Sequence, residues 1–460
     1  MRGLDSLGNP VTADSQATLS GVEDFVGGLL GYETRIVTVM AAAKADPDSC
    51  LVNAYAGAVA LFAEAPGAAE NAGRYLDRAE RAARGATERE RMVTAFIRLW
   101  QRDEIDAARR LGSEIAAAYP RDLALVKLHQ YLSFNIGDAP AMLRIAHTVF
   151  ERNRDVPYMH GIIAFAYEQC HLLDEAEAAA ETALALRRKE PWAQHALAHI
   201  SLSRSGRIHS GARFLESVED TWDGLNSFML THLWWHLALF LLSEGRFDRV
   251  LEIYDRHCWG ADKSYSQDQI TAVSLLARIE LAGGDVGDRW AELGTYLAAR
   301  AGDLVLPFLT AQYLYGLARA GRPEAEILLA AVRRHAATGQ GASAVTWRDV
   351  ALPLCNGLHA HATGNFEAAV AGLREALPRL VEIGGSHAQR DLFDQIHLDA
   401  LLRSGRLGAA QYLLEQRRQG DPDGVPVNRA LAGLYRRLDL PTEAAQAEAR
   451  AAAASGAYAA

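Results

Sequence analysis

Fifteen histidines occur in 460 residues, and four of them fall in two short apolar segments. The first, EPWAQHALAHI, carries His195 and His199. The second, THLWWHLALF, carries His232 and His236. Each pair is spaced i, i+4, so both rings lie on one face of a helix. Tyr158 and His160 stand further back in VPYMHGII, and Trp192, Trp234 and Trp235 share the histidine segments. Three chemistries are open to such a set. The imidazoles can be packing residues with satisfied ring nitrogens. They can line a pocket that binds a ligand or moves protons near neutral pH. Or they can hold a metal, two ligands from each helix completing a tetrahedron. HALAH lacks the glutamate that follows the first histidine in zinc proteases, so that chemistry is set aside.

A second polar concentration is GGSHAQRD, Gly384 to Asp391. Ser386 is placed to cap a helix, with His387, Gln389 and Arg390 on its first turn near the positive end of the helix dipole. Either this is a capped helix start with a solvated charge pair, or Arg390 clamps a carboxylate at a pocket's edge. The Arg348–Asp349 pair in WRDVALPLC reads better as a buried ion pair between repeats. Cys170 and Cys258 have histidine neighbours in sequence, but adjacent helical residues do not face each other, so neither is a candidate thiolate. There is no GxSxG, P-loop or Gly-rich dinucleotide turn. The glycine pairs 283–284 and 384–385 read as helix C-caps.

What positions these groups is a helical repeat. Apolar residues recur three and four apart almost throughout, with no β-type alternation to compete. A turn residue followed by an Ala-rich helix recurs at Gly137, His171, Gly206, Gly245, Gly284, Gly321, Gly364 and Gly405, with a related turn after Gln101 and a last one near Asp439. From Gly137 the gaps are 34, 35, 39, 39, 37, 43 and 41 residues. A helix–turn–helix period of about 34 is the tetratricopeptide pattern. Its cleanest copy is AFAYEQCHLLDEAEAAAETALAL, with small residues at Ala176 and Ala183. Each helix pair leaves an apolar face that only the next pair covers. The expected fold is therefore all-α: tetratricopeptide-like hairpins in one right-handed superhelix, an α-solenoid of about ten pairs. Residues 1–20 read as an arm or capping segment, 21–455 as the continuous array and 456–460 as a frayed tail. Stretches 338–346 and 419–426 read as loops.

The two histidine pairs are 37 residues apart, about one repeat, so neighbouring first helices would bring them together. The turn glycines of those repeats, Gly206 and Gly245, are 39 apart, which sets the opposite expectation of an offset of half a helical turn.

Composition bounds the partners. Half the residues are hydrophobic, and 47 basic residues face 57 acidic ones for a net charge of −10. This excludes global disorder and gives no electrostatic footprint for nucleic acid. Four dispersed cysteines without CxxC point to a reducing cytoplasm. No apolar run is long enough for a membrane helix, and the first residues lack the pattern of a signal peptide.

Taken in order, WAQHALAHI, the pair in THLWWHLALF, EGRFDRVLEIYD, SLLARIEL, DRW, RDVALPLC and GGSHAQRD resemble the tetratricopeptide repeat protein 38-like family of bacteria and animals. The resemblance extends to the N-terminal DSLGNPVTADS and the ADPD turn. It implies a soluble, all-helical repeat protein, and no general activity is established for that family. The matching positions are His195, His199, His232, His236, Ser274, Arg278, Arg289, Trp290, Arg348, Asp349, Gly384, Gly385, Ser386, Gln389, Arg390 and Asp391. One departure stands out. The family resemblance implies an acidic residue and a histidine after DRW, and this chain has Leu309, Thr310, Ala311 and Gln312 there.

The expected function is ligand binding. An inner pocket lined by His, Trp and Arg would take a small molecule or peptide, using Tyr158, His160, Trp192, Trp235, Ser386, His387, Gln389 and Asp391. The alternative is a cofactor-independent hydrolase, lyase or isomerase. There His195 or His236 would be the general base, His199 or His232 its partner, and Arg390 the oxyanion or carboxylate clamp. No cofactor is favoured, and a His-held divalent metal is the minor possibility. No nucleic acid or membrane partner is expected, and homo-oligomerisation stays open.

Overall fold

The computed structural model describes residues 2–341 and 343–459. Met1, Ala342 and Ala460, which fall in the expected arm, loop and tail, lie outside the described residues. The described chain is all-α apart from one short N-terminal β-hairpin. It forms two compact units, Met1–Leu197 with Asp220–Met229, and Ala198–Glu219 with Leu230–Ala460.

In the first unit, strands Arg2–Leu4 and Pro10–Thr12 pair antiparallel. They are docked rather than a free arm. Thr12 donates its N–H to Glu90 at 2.7 Å, and Arg89 donates to the Pro10 carbonyl at 2.9 Å. Arg89 also pairs with Asp122 at 2.6 Å, both side chains 2% exposed. The first helix, Gln16–Gly31, takes in the last five residues of the expected arm, because Ser15 caps it by accepting from the Thr18 N–H. Antiparallel hairpins follow, including Cys50–Leu61 with Ala68–Ala82, and Pro157–Gln169 with Leu173–Leu186.

In the second unit the hairpins include Leu352–Ala362 with Phe366–Ala376, His387–Arg403 with Leu407–Gly420, and Val425–Arg437 with Pro441–Ala459. The helices of the array differ in character. Every residue from Ile270 to Ile279 in Ser266–Leu281 is buried. Phe366–Ala376 buries only Ala369, Val370, Leu373 and Ala376, the single stripe of a helix with one face in solvent. The expected repeat packing holds at the cleanest copy, where Ala176, Ala180 and Ala183 are fully buried.

The turns share one conformation. Gly137, Gly206, Gly245, Gly321, Gly364 and Gly405 have positive φ, and His171 and Asp439 adopt it at the equivalent turns. The exception is the turn expected at Gly284, where Gly283 takes the positive φ of 92°. The long gap after Gly321 is filled by Glu324–Thr338 and by a wide helical turn, Trp347–Ala351. The tail expected to fray is helical to Ala459, since a run of alanines carries the highest helix propensity. No helix among the described residues is long and apolar enough to cross a membrane.

Candidate functional site

The helix Pro191–Ser203 passes from the first unit to the second between Leu197 and Ala198. His195 belongs to the first unit, His199 to the second, as do His232 and His236. In the second unit the expected half-turn offset does not separate the rings. His199 and His236 lie 4.6 Å apart between centroids at 61°, and His232 and His236 4.7 Å apart at 83°. His199, His232 and His236 each offer a ring nitrogen to one point, these atoms lying within 4.8 Å of one another. His199 and His236 are fully buried and His232 is nearly so.

Burial sets their charge. It pushes His199 down to about 3, with Arg390 adding to the effect, and His232 down to about 3, with His199 adding. His236 is driven well below the ordinary imidazole range by burial, then by its histidine neighbours and Arg278. Three neutral imidazoles therefore meet in a dry place.

Around them stand residues from far along the chain. His387 is half-buried, its ring 5.1 Å from that of His199, and its Nε2 lies 3.1 Å from Ser203 Oγ. Trp235, 1% exposed, stacks on His232 at 5.1 Å and lies beneath the Arg278 guanidinium at 5.7 Å. Arg278 donates to Asp391 at 3.1 Å and to the Ala388 carbonyl at 2.7 Å. Asp391 also accepts from Arg417 at 2.6 Å and from Gln395 at 2.7 Å. Burial would raise the Asp391 carboxyl, but Arg417 and Arg278 override it and hold it well below the carboxylate range.

The GGSHAQRD segment divides its labour. Ser386 and Gln389 form a reciprocal capping box, each side chain accepting from the other's backbone N–H. Gln389 Oε1 is thus engaged at the start of its own helix. Arg390 donates to the Gly385 carbonyl and its charge reaches His199. Arg278, rather than Arg390, is the deeply buried arginine beside the cluster, and the family resemblance had already marked its position.

In the first unit, His195 stacks on Trp192 at 4.5 Å and packs on Phe165. Trp192 lies under the Lys127 ammonium, 3.8 Å from ring centroid to Nζ. His160 bonds the Arg154 carbonyl at 2.9 Å and packs on Phe150. Tyr158 lies under Arg187 at 5.0 Å. One further expectation changes. Arg348 and Asp349 pair with each other at 2.7 Å on the surface, and Asp349 also accepts from Arg379. Leu309 to Gln312, where the family resemblance implies an acid and a histidine, are all buried in the helix Pro307–Arg319. Burial pushes the thiols of Cys170 and Cys258 up, away from the thiolate form.

A feature the sequence did not flag is a half-open cleft of about 460 Å³ in the second unit, lined by Glu280, Tyr315, Arg319, His361, Asp399 and Arg403 among others. Tyr315 Oη lies 3.3 Å from His361 Nδ1, and His361 Nε2 lies 2.9 Å from Asp399. The partners are 46 and 38 residues apart, with no local spacing to betray them.

No protein-family model matches the chain. Among solved structures, human IFIT1 as a dimer with m7Gppp-AAAA is 12% identical, with a TM-score of 0.38, covering 96% of this chain and 90% of that one. A monomeric mutant of IFIT1 with Gppp-AAAA is also 12% identical, with a TM-score of 0.38 and coverage of 93% and 95%. Naa15/Naa10 bound to HypK-THB is 13% identical, with a TM-score of 0.24 and coverage of 94% and 67%. At scores this low the fold assignment rests on this chain's own helices.

Proposed function

We propose that this chain is a ligand-binding helical repeat protein of the tetratricopeptide repeat protein 38-like family, whose second unit holds a divalent metal ion on His199, His232 and His236. The observation that carries this reading is the convergence of three buried ring nitrogens within 4.8 Å. An all-imidazole set suits zinc among the common divalent ions. Zinc–nitrogen bonds of about 2.0–2.1 Å bring tetrahedral ligands to roughly 3.3 Å from each other. Small ring rotations close that gap. The His387 ring and the Arg390 charge stand beside His199.

The alternative, proton transfer by the imidazoles alone, is the weaker reading. A ring held neutral down to about pH 3 is a poor base at neutral pH. A metal does not ask these rings to titrate. Arg278 shares the Asp391 carboxylate with Arg417, which offsets part of its charge beside the cluster. The cytoplasm is the compartment proposed, in keeping with four free thiols.

Zinc titration of metal-stripped protein tests the reading. One equivalent should bind the wild type. His199→Ala combined with His236→Ala should lose at least about a hundredfold in affinity, the order expected from removing inner ligands. Equal binding by wild type and variant would remove the metal.

A further inference from the structure

Only four of the 47 basic residues are lysines: Lys44, Lys127, Lys189 and Lys263. Lys44 is exposed, Lys189 donates to the Asp223 carbonyl at 2.6 Å, and Lys263 pairs with Glu292 at 2.5 Å. Lys127 is different. It is 6% exposed, inside the first unit, on the helix Leu123–Asn135, whose residues 123–130 are all buried. Its Nζ makes no hydrogen bond or ion pair among the described residues. Instead it sits 3.8 Å from the Trp192 ring centroid and 4.5 Å from that of Tyr32.

In a chain whose basic residues are mostly arginine, this buried position holds a lysine, which unlike arginine can give up its proton. Burial drives Lys127 well below the ammonium range, opposed by the charge of Glu190. Glu190 is itself fully buried, and burial pushes its carboxyl up to about 7. One of its oxygens accepts from the Ala193 N–H, while Oε1 is buried without a hydrogen-bond partner. Gly161 makes room for this carboxyl, since a Cβ there would meet Glu190 Oε2 at 2.6 Å. The arrangement is a desolvated amine, an acid that keeps its proton near neutral pH, and flat aromatic walls. Tyr32 and Phe228, in ring contact at 5.9 Å and both half-buried, continue the walls toward solvent.

We infer that Lys127 is a nucleophilic amine that condenses with a small aldehyde or ketone, with Glu190 as the acid. The Nζ lone pair forms a bond to the carbonyl carbon, the C=O π bond breaks, and its oxygen takes a proton from Glu190. Nζ returns a proton to the Glu190 carboxylate, which passes it to the carbinolamine hydroxyl; the Nζ lone pair forms the C=N bond as the C–O bond breaks and water leaves, and the remaining N–H proton goes back to Glu190 to give the neutral imine. Amine and carbonyl in, imine and water out, the step needs no oxidant or reductant. It lies in the first unit and stands or falls independently of the histidine metal site.

The test is reductive alkylation of the folded full-length protein with limiting acetaldehyde and cyanoborohydride, read by peptide mass spectrometry at all four lysines. Lys127 should be alkylated at least about tenfold faster than Lys44 at pH 7, since each unit of lowered pKa exposes about ten times more free amine. Its rate should level off at a lower pH than that of Lys44, and Glu190→Gln should slow Lys127 alone. Lys127 left unmodified, or following the pH profile of Lys44, would overturn the inference. Because the four lysines are compared within the wild-type chain, the result does not depend on a variant that folds.

Discussion

Arg278 and Asp391 meet across 113 residues of sequence, Nη1 to Oδ2 at 3.1 Å, and this contact fastens the helix His387–Arg403 to Ser266–Leu281 beside the imidazole cluster. Arg278 is 3% exposed and Asp391 34%. Deleting the carboxylate leaves a buried guanidinium with only neutral acceptors, the Ser274 hydroxyl and the Ala388 and Gln389 carbonyls. Asp391→Ala is expected to cost about 2 kcal/mol, below the value for a fully buried pair because Asp391 is partly solvated. Arg278→Leu should cost less, since it leaves no uncompensated buried charge. Urea unfolding of the two variants checks the order.

The turn that presents His387 depends on its backbone. Gly385 has φ of +76°, and a Cβ there would meet Phe308 at 2.6 Å. Gly385→Ala is expected to destabilise by at least about 2 kcal/mol, combining the left-handed conformation with the clash. Ser386→Ala, which removes only half of the capping box, should cost about 1 kcal/mol. Thermal melts separate these values.

Acid should weaken the first unit in a predictable direction. His129 is 3% exposed and burial, then Arg109, holds it at about 4. The unfolded imidazole titrates near 6.5. Between those values the unfolded chain binds the proton and the folded one does not. Stability from this group is complete above about pH 7, falls as pH drops through 6.5, and stops falling below about 4. His129→Gln should flatten the dependence of the urea midpoint between pH 7 and pH 5. An unchanged slope would mean that His129 is already protonated when folded.

Much of this was legible in the sequence. The i, i+4 histidine pairs and the recurring turns set both the helices and the meeting of His199, His232 and His236, because local spacing and period suffice for them. The wider offset between Gly206 and Gly245 predicted a separation that did not occur. The three-residue strands Arg2–Leu4 and Pro10–Thr12 are too short to show alternation. The Tyr315, His361 and Asp399 contacts join three helices and have no sequence signature. Lys127 had one: a lysine inside LALVKLHQY, where a solvated cation has no place among residues that bury every face.

The central claim is that the neutral imidazoles of His199, His232 and His236 hold a divalent metal ion. Cobalt(II) added to metal-stripped protein measures this most directly, because its visible absorption reports coordination geometry. The account predicts strong tetrahedral bands that saturate at one equivalent and vanish on addition of zinc. A spectrum no stronger than that of aqueous cobalt would contradict it.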